Sequence, residues 1–333
     1  MKVFWQNNMA LLVVLLVVAA AGFGFQRHLD PYYYKILVDV GIAIILVVSL
    51  NLINGITGQF SLGHAGFMAV GAYASAALSV LAAGPWLNGL ALGGAQKMVV
   101  EFVALGVIVI VGGVAAALAG FVVGMPALRL RGDYLAIATL GFGEIIRIVF
   151  QNTEQLGGAR GISIPPPRSD FTGVYVCAVL CVAFIWRLVH SVKGKSFFAI
   201  REDEFAAATV GIDTTKYKVI AFVLGSFFAG VAGALFAHSA TGYITPAQFD
   251  AVKSIELVVM VVLGGLGSIS GSIIAAAALT LLPEILRGFA EYRLVVYSLL
   301  LVLVMLTRPQ GLMGMKEIKL PWHRQPYQHK PVA

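Results

Sequence analysis

Apolar residues along this chain fall in long, nearly uninterrupted blocks rather than in an amphipathic rhythm, and short polar stretches separate the blocks. Blocks near the roughly 20 residues that carry a helix across a bilayer core predict membrane-spanning helices. We place them at 9–25, 36–53, 62–83, 99–124, 134–150, 173–190, 219–238, 255–263, 270–286 and 294–307. The eighth and ninth are short. From Ile255 to Pro283 there are 29 residues for two crossings that ordinarily need about 40. Gly264, Gly265, Gly267 and Gly271 sit in the middle of that stretch, so two broken half-helices meeting at a glycine hinge are expected. The fold class is all-α: a polytopic transmembrane bundle of about ten spans, with broken helices.

Composition agrees with this pattern. Only 12% of the 333 residues are charged and 59% are apolar, against about 25% charged in soluble domains. Too few polar groups remain to cover a water-facing surface, which excludes a soluble enzyme or a disordered chain. The net charge of +7 is read as a topology signal. With an uncleaved first helix and the N-terminus inside, thirteen Lys and Arg fall in inside segments and eight in outside ones, so both termini are expected in the cytoplasm. Nucleic-acid binding would need a basic soluble face, and the chain offers none. Residues 1–314 form one permease-like membrane domain containing a long inside loop, 191–218, and residues 315–333 a basic tail.

Few residues carry chemistry. Cys177 and Cys181 lie four apart in one apolar block and are read as packing. Gly194-Lys195-Ser196 imitates the end of a phosphate loop, but Val189 stands where the first glycine belongs. No cofactor is expected on this chain; ATP and Mg²⁺, if used, belong to partner subunits. Glu144 and Arg147, three residues apart on one helical face, are expected to form a structural ion pair. Asp39, Glu256 and Glu284 fall near span ends, where snorkelling to water is easy. His64 and His238 lack metal-ligand spacing and are expected in hydrogen-bonded packing roles.

The stretch 58–66 is the least ordinary intramembrane segment. Gln59, Ser61 and His64 bring polar groups, and Gly58, Gly63 and Gly66 permit either a helix break or a close helix contact. Gln59, Ser61 and His64, with Gly264, Gly265 and Gly267, are the candidate substrate-path residues, since broken helices present free backbone groups to polar solutes. In the inside loop, Ser196–Gly211 reads as one amphipathic helix with Arg201, Glu202, Asp203 and Glu204 polar, Phe197, Phe198 and Phe205 apolar, Gly211 as a stop and Asp213 as the next cap. A helix with exposed aromatics between two spans suits docking onto a cytosolic partner.

These segments resemble the permease subunits of bacterial branched-chain amino-acid ATP-binding-cassette importers of the LivM type. The matching stretches are GQFSLGHAGFMAVGAY (58–73), ALRLRGDYLAIATLGFGEIIRI (127–148), LGGARGIS (156–163), AIREDEFAAATVGIDTTKYKVIAF (199–222), VVLGGLGSISGSIIAAA (261–277) and RPQGLMG (308–314). Asp133, after Arg131 and Gly132, is expected to cap the helix that follows. The resemblance implies a multi-pass subunit in the bacterial inner membrane, with no catalysis of its own. Its partners would be a second related permease chain, two cytosolic ATPases and an extracytoplasmic binding protein. It also implies that 199–211 is the coupling helix, with Arg201, Glu202, Glu204, Phe205, Ala206, Ala207 and Gly211 facing the ATPase. Phe205 stands where the family pattern has an acid, with Glu204 one residue earlier. Related permeases for urea and short amides share most of these stretches, and an ion-coupled carrier is the reading from a different class.

Overall fold

The computed structural model of the chain describes residues 13–20, 30–83, 94–130, 132–239 and 241–286, together with Gly22, Gly24, Ser298, Leu299, Val302, Leu306, 311–314 and Glu317. The expected last span and most of the basic tail lie largely outside the described residues; within the expected first span, 13–20, Gly22 and Gly24 are helical. Helix α1, Pro31–Asn51, opens on a proline at its first turn and runs on into a π-helical turn, Leu52–Ile56. Proline suits that place because the first amides of a helix have no partner. After the break at 57–63 come α2, His64–Leu78, with its own π-helical end at Ser79–Ala83, then α3, Gly94–Ala127, and α4, Asp133–Asn152. Asp133 occupies the first turn of α4 rather than its cap, which is Gly132 at φ 57°. A left-handed conformation favours the residue without a Cβ, so the expected cap moves one position into the helix.

The second half holds α5, Phe171–Val189, α6, Val192–Glu202, α7, Glu204–Thr209, and α8, Thr214–Ala237. Helices α9, Ala251–Gly264, and α10, Ile269–Ile285, follow. A two-residue antiparallel pair joins β1, Ile162–Ser163, to β2, Tyr243–Ile244, with Ile162 opposite Ile244. Among the described residues, five helices are long and apolar enough to cross a membrane: Pro31–Ile56, His64–Leu81, Val99–Ala127, Phe171–Val189 and Thr214–Ala237. Helices α9 and α10 have 14 and 17 residues, about 21 and 26 Å at 1.5 Å per residue. Each falls short of a hydrocarbon core of about 30 Å, as the compressed stretch 255–283 foretold.

Packing explains which helices sit where. Helix α1 is surrounded by α5, α8, α9 and α10, and its buried face runs from Val38 to Asn51. Helices α2, α3 and α8 form a second tight group that meets through glycine backbone. A methyl on Gly71 would stand 2.2 Å from the Gly230 carbonyl oxygen, and one on Gly230 2.6 Å from that of Gly112. Lipid tails are as apolar as leucine, so helices in a bilayer gain most from such close approach. His238 behaves as a packing residue: its Nε2 lies 2.6 Å from Ser79 Oγ, and its Nδ1 lies 2.8 Å from the Ala234 carbonyl oxygen.

Candidate functional site where two broken helices meet

Both breaks lie at one end of the bundle, and they touch. The first is built by side chains that replace lost helical hydrogen bonds. Asn54 donates to the Ser61 carbonyl at 3.2 Å and accepts from its amide at 3.1 Å, while the Thr57 hydroxyl donates to Ile53 O at 2.7 Å. Gly58 turns the chain at φ 70°. Leu62 N–H is taken by Thr139 Oγ at 3.0 Å and Ala65 N–H by Ser254 Oγ at 3.2 Å. Non-helical backbone is tolerated at membrane depth only when every group is satisfied in this way.

The second break, 265–268, turns on Gly265 at φ 111° and Gly267 at φ 89°. Ser268 caps α10 by accepting from Gly271 N–H at 3.1 Å. The link between the breaks is Asn51, fully buried at the end of α1. Its amide oxygen accepts from Gly267 N–H at 2.9 Å and its amide nitrogen donates to Ser268 O at 2.9 Å. Approach is so close that a methyl on Gly55 would stand 2.3 Å from Gly267 N.

Two further segments close around this junction. Leu312 N–H donates to Leu263 O at 2.7 Å, extending the hydrogen bonding of α9 beyond its own end. The Glu317 carboxylate accepts from Ile269 N at 2.5 Å, Ser270 N at 3.1 Å and the Ser270 hydroxyl at 2.5 Å. A carboxylate there also matches the positive end of the helix dipole. Read from sequence as part of a basic tail, Glu317 is instead tied to the hinge.

The inside loop is the second segment. Its expected single helix is two, α6 and α7, separated at Asp203, which is extended (φ −157°, ψ 112°) and accepts from Phe205 N at 2.8 Å and Ala206 N at 3.1 Å. An aspartate is a better cap than helix interior, so the charged run that marked the helix also cuts it. Gly211 ends α7 at φ 88°, and Asp213 caps α8 by accepting from Lys216 N at 3.0 Å, as read from sequence. The loop has two faces. Phe197, Ile200 and Ala207 are buried, whereas Glu202, Phe205, Ala206, Val210 and Gly211 are exposed, Phe205 at 68% and Val210 at 82%. Glu204 pairs with Lys218 at 2.5 Å. Arg201 turns inward: a methyl on Gly58 would stand 3.2 Å from its Cγ, and one on Gly267 2.6 Å from its Nη1. One side chain thus rests on both breaks.

Gln59, Ser61 and His64 are all buried beside this point. The Ser49 hydroxyl donates to Leu46 O, so His64 Nε2–H donates to Ser49 Oγ at 2.9 Å. Gln59 donates to Lys218 O at 3.5 Å. Gln59 Oε1, His64 Nδ1 and Arg201 Nη1 have no hydrogen-bond partner among the described residues. Unsatisfied buried polar atoms are scarce in folded proteins, and here three gather at one junction. Glu144 and Arg147 lie apart from it on α4, joined by a 2.8 Å bond from Nε to Oε2 with about a quarter of each side chain exposed.

Comparison with known proteins fits this architecture. A family model described as "Branched-chain amino acid transport system / permease component" matches residues 32–306. The LivM branched-chain amino acid permease proteins of Salmonella typhimurium and Escherichia coli K12 are each 38% identical over 316 residues, covering 84% of this chain and 69% of theirs. The LivH permease protein of Escherichia coli K12 is 33% identical over 132 residues, covering 39% of this chain and 42% of its own. No solved structure matches.

Proposed function

The chain belongs to the branched-chain amino acid transport permease family, and we propose that it is one membrane-spanning subunit of an ATP-binding-cassette importer for Leu, Ile and Val. Two differently named permease proteins of Escherichia coli, LivM and LivH, both resemble it, which supports pairing with a second, related permease chain. In this reading an extracytoplasmic binding protein delivers the amino acid, and two cytosolic ATPases supply ATP and Mg²⁺. In the same reading the junction end, with loop 191–218, faces the cytoplasm and both termini are cytoplasmic, in keeping with the excess of Lys and Arg in those segments.

The observation that carries the proposal is the two-faced inside loop. Its outer face presents Phe205 and Val210, while Arg201 of the same loop lies against Gly58 and Gly267. Force applied to the outer face therefore has a short, packed route to both helix breaks. A buried aromatic anchor at an interface is worth about 2 kcal/mol or more, so Phe205→Ala weakens ATPase binding and uncouples uptake while membrane insertion is kept. The test is co-purification of the ATPases with the variant, alongside uptake by the full complex. Full retention of both would sink the docking role. Uptake by the chain alone, driven by an ion gradient without any ATPase, would overturn the importer reading itself.

A further inference from the structure

From the end of the bundle opposite the junction, a cavity of about 220 Å³ reaches inward between α1, α2, α8, α9 and α10 as far as Met68 and Met260. Its position follows from chain direction. Helices α1 and α9 run toward the junction and α10 runs away from it, so Asp39, Lys253, Glu256 and Pro283, which line the cavity, lie in the far halves of their helices. The volume equals about seven waters at ~30 Å³ each, the size of one free amino acid rather than a peptide. The rest of the wall is mostly apolar, with Ile42, Leu46, Met68, Leu257 and Leu279 beside the Phe236 ring and the Thr280 hydroxyl.

The charges are what set this cavity apart. Asp39 stands more than two turns inside an otherwise strongly apolar helix, and ionisable groups at such places are costly and functional by default. Lys253 Nζ lies 2.9 Å from Glu256 Oε2, and about a third of each of these side chains is exposed. One ammonium and two carboxylates therefore face one small space with a greasy wall. A neutral amide or urea can hydrogen-bond such groups but carries no charge to match them. An α-amino acid zwitterion does, because its carboxylate matches Lys253, its ammonium matches Asp39 and Glu256, and an aliphatic side chain matches the wall.

Resting on the functional reading above, we propose that this cavity is a subsite for an aliphatic α-amino acid zwitterion, entered from the face opposite the junction. Binding there sets the ligand's two charges against the three on the protein, opposite signs adjacent, which keeps the ligand oriented without adding a net charge to the apolar bundle.

The experiment uses the complete importer in proteoliposomes, with radiolabelled leucine and alanine as probes and every rate normalised to assembled complex. Asp39→Asn and Lys253→Gln each lower leucine uptake about tenfold or more, the range for losing one charge-assisted hydrogen bond. Ala43→Leu, which leaves all three charges and shrinks the cavity, lowers leucine uptake while alanine uptake holds. This variant keeps the test open should a charge variant fail to assemble. Unchanged leucine uptake in assembled charge variants, or an unaltered leucine-to-alanine ratio in Ala43→Leu, overturns the subsite. Failure of the parent complex to take up any amino acid sinks the functional reading instead.

Discussion

Asn51→Ala tests whether the two helix breaks are held as one unit. The side chain is fully buried and makes two backbone bonds across 216 and 217 residues of sequence. Their losses are unequal. Ser268 O keeps the Ser272 amide at 3.1 Å and the Ser272 hydroxyl at 2.9 Å, so it stays satisfied without Asn51. Among the described residues, Gly267 N–H has no other acceptor. Stranding one buried donor costs about 1–3 kcal/mol, against a total stability on the order of 5–15 kcal/mol. The loss is local, so hydrogen exchange by mass spectrometry is the assay. At about tenfold per 1.4 kcal/mol, amides at 265–268 exchange roughly 5- to 150-fold faster in the variant, with α2, α3 and α8 unaffected. Exchange that is unchanged at 265–268, in a variant as stable as the parent, would refute the claim that Asn51 ties the breaks.

Three further outcomes are expected. Gly267→Ala puts a Cβ at φ 89° and 2.6 Å from Arg201 Nη1, costing about 1–2 kcal/mol in backbone strain alone, so uptake falls in complexes that still insert; normal uptake would mean Arg201 does not need that contact. Glu144→Gln leaves Arg147 without its anion and lowers assembly through a loss of about 1–3 kcal/mol, without altering the pH dependence of uptake; a pH profile that flattens with assembly intact would point to a proton relay. For orientation, Val210→Cys and Val252→Cys are both exposed sites, at 82% and 69%. An impermeant thiol reagent added to intact cells labels only Val252→Cys, and the reverse pattern would invert the topology.

Local physics made much of this fold readable. A short apolar stretch with four glycines announced the break between α9 and α10, because neither half has the length to cross alone. Gly211 and Asp213 were legible as stop and cap since each acts within one turn of its own position. Spacing sufficed for Glu144 and Arg147. What stayed hidden depends on distant partners. Nothing near Asn51 signals that its amide will meet Gly267, and Glu317 sits in a run of basic residues that reads as solvated tail. Asp39 and Glu256 looked like snorkelling charges and Lys253 like an outside-loop cation, and only the convergence of α1 and α9 brings them to a shared cavity. In the inside loop, amphipathic periodicity continues through Asp203, so period alone missed a cut made by one side chain's preference for capping.

The glycine crossing of α2, α3 and α8 bears on how this sequence can drift. Over the outward faces of α3, at Val103, Val107, Ile110 and Leu118, one aliphatic residue replaces another with little consequence, because what is displaced there is fluid. At Gly71 and Gly230 the neighbouring atom is a main-chain carbonyl within 2.2–2.6 Å of any added carbon, and it cannot move without shifting a whole helix. Compensation from a second site is equally barred, since a backbone has no smaller version of itself. Divergence in this bundle is therefore confined to its periphery, while a few positions without side chains stay fixed.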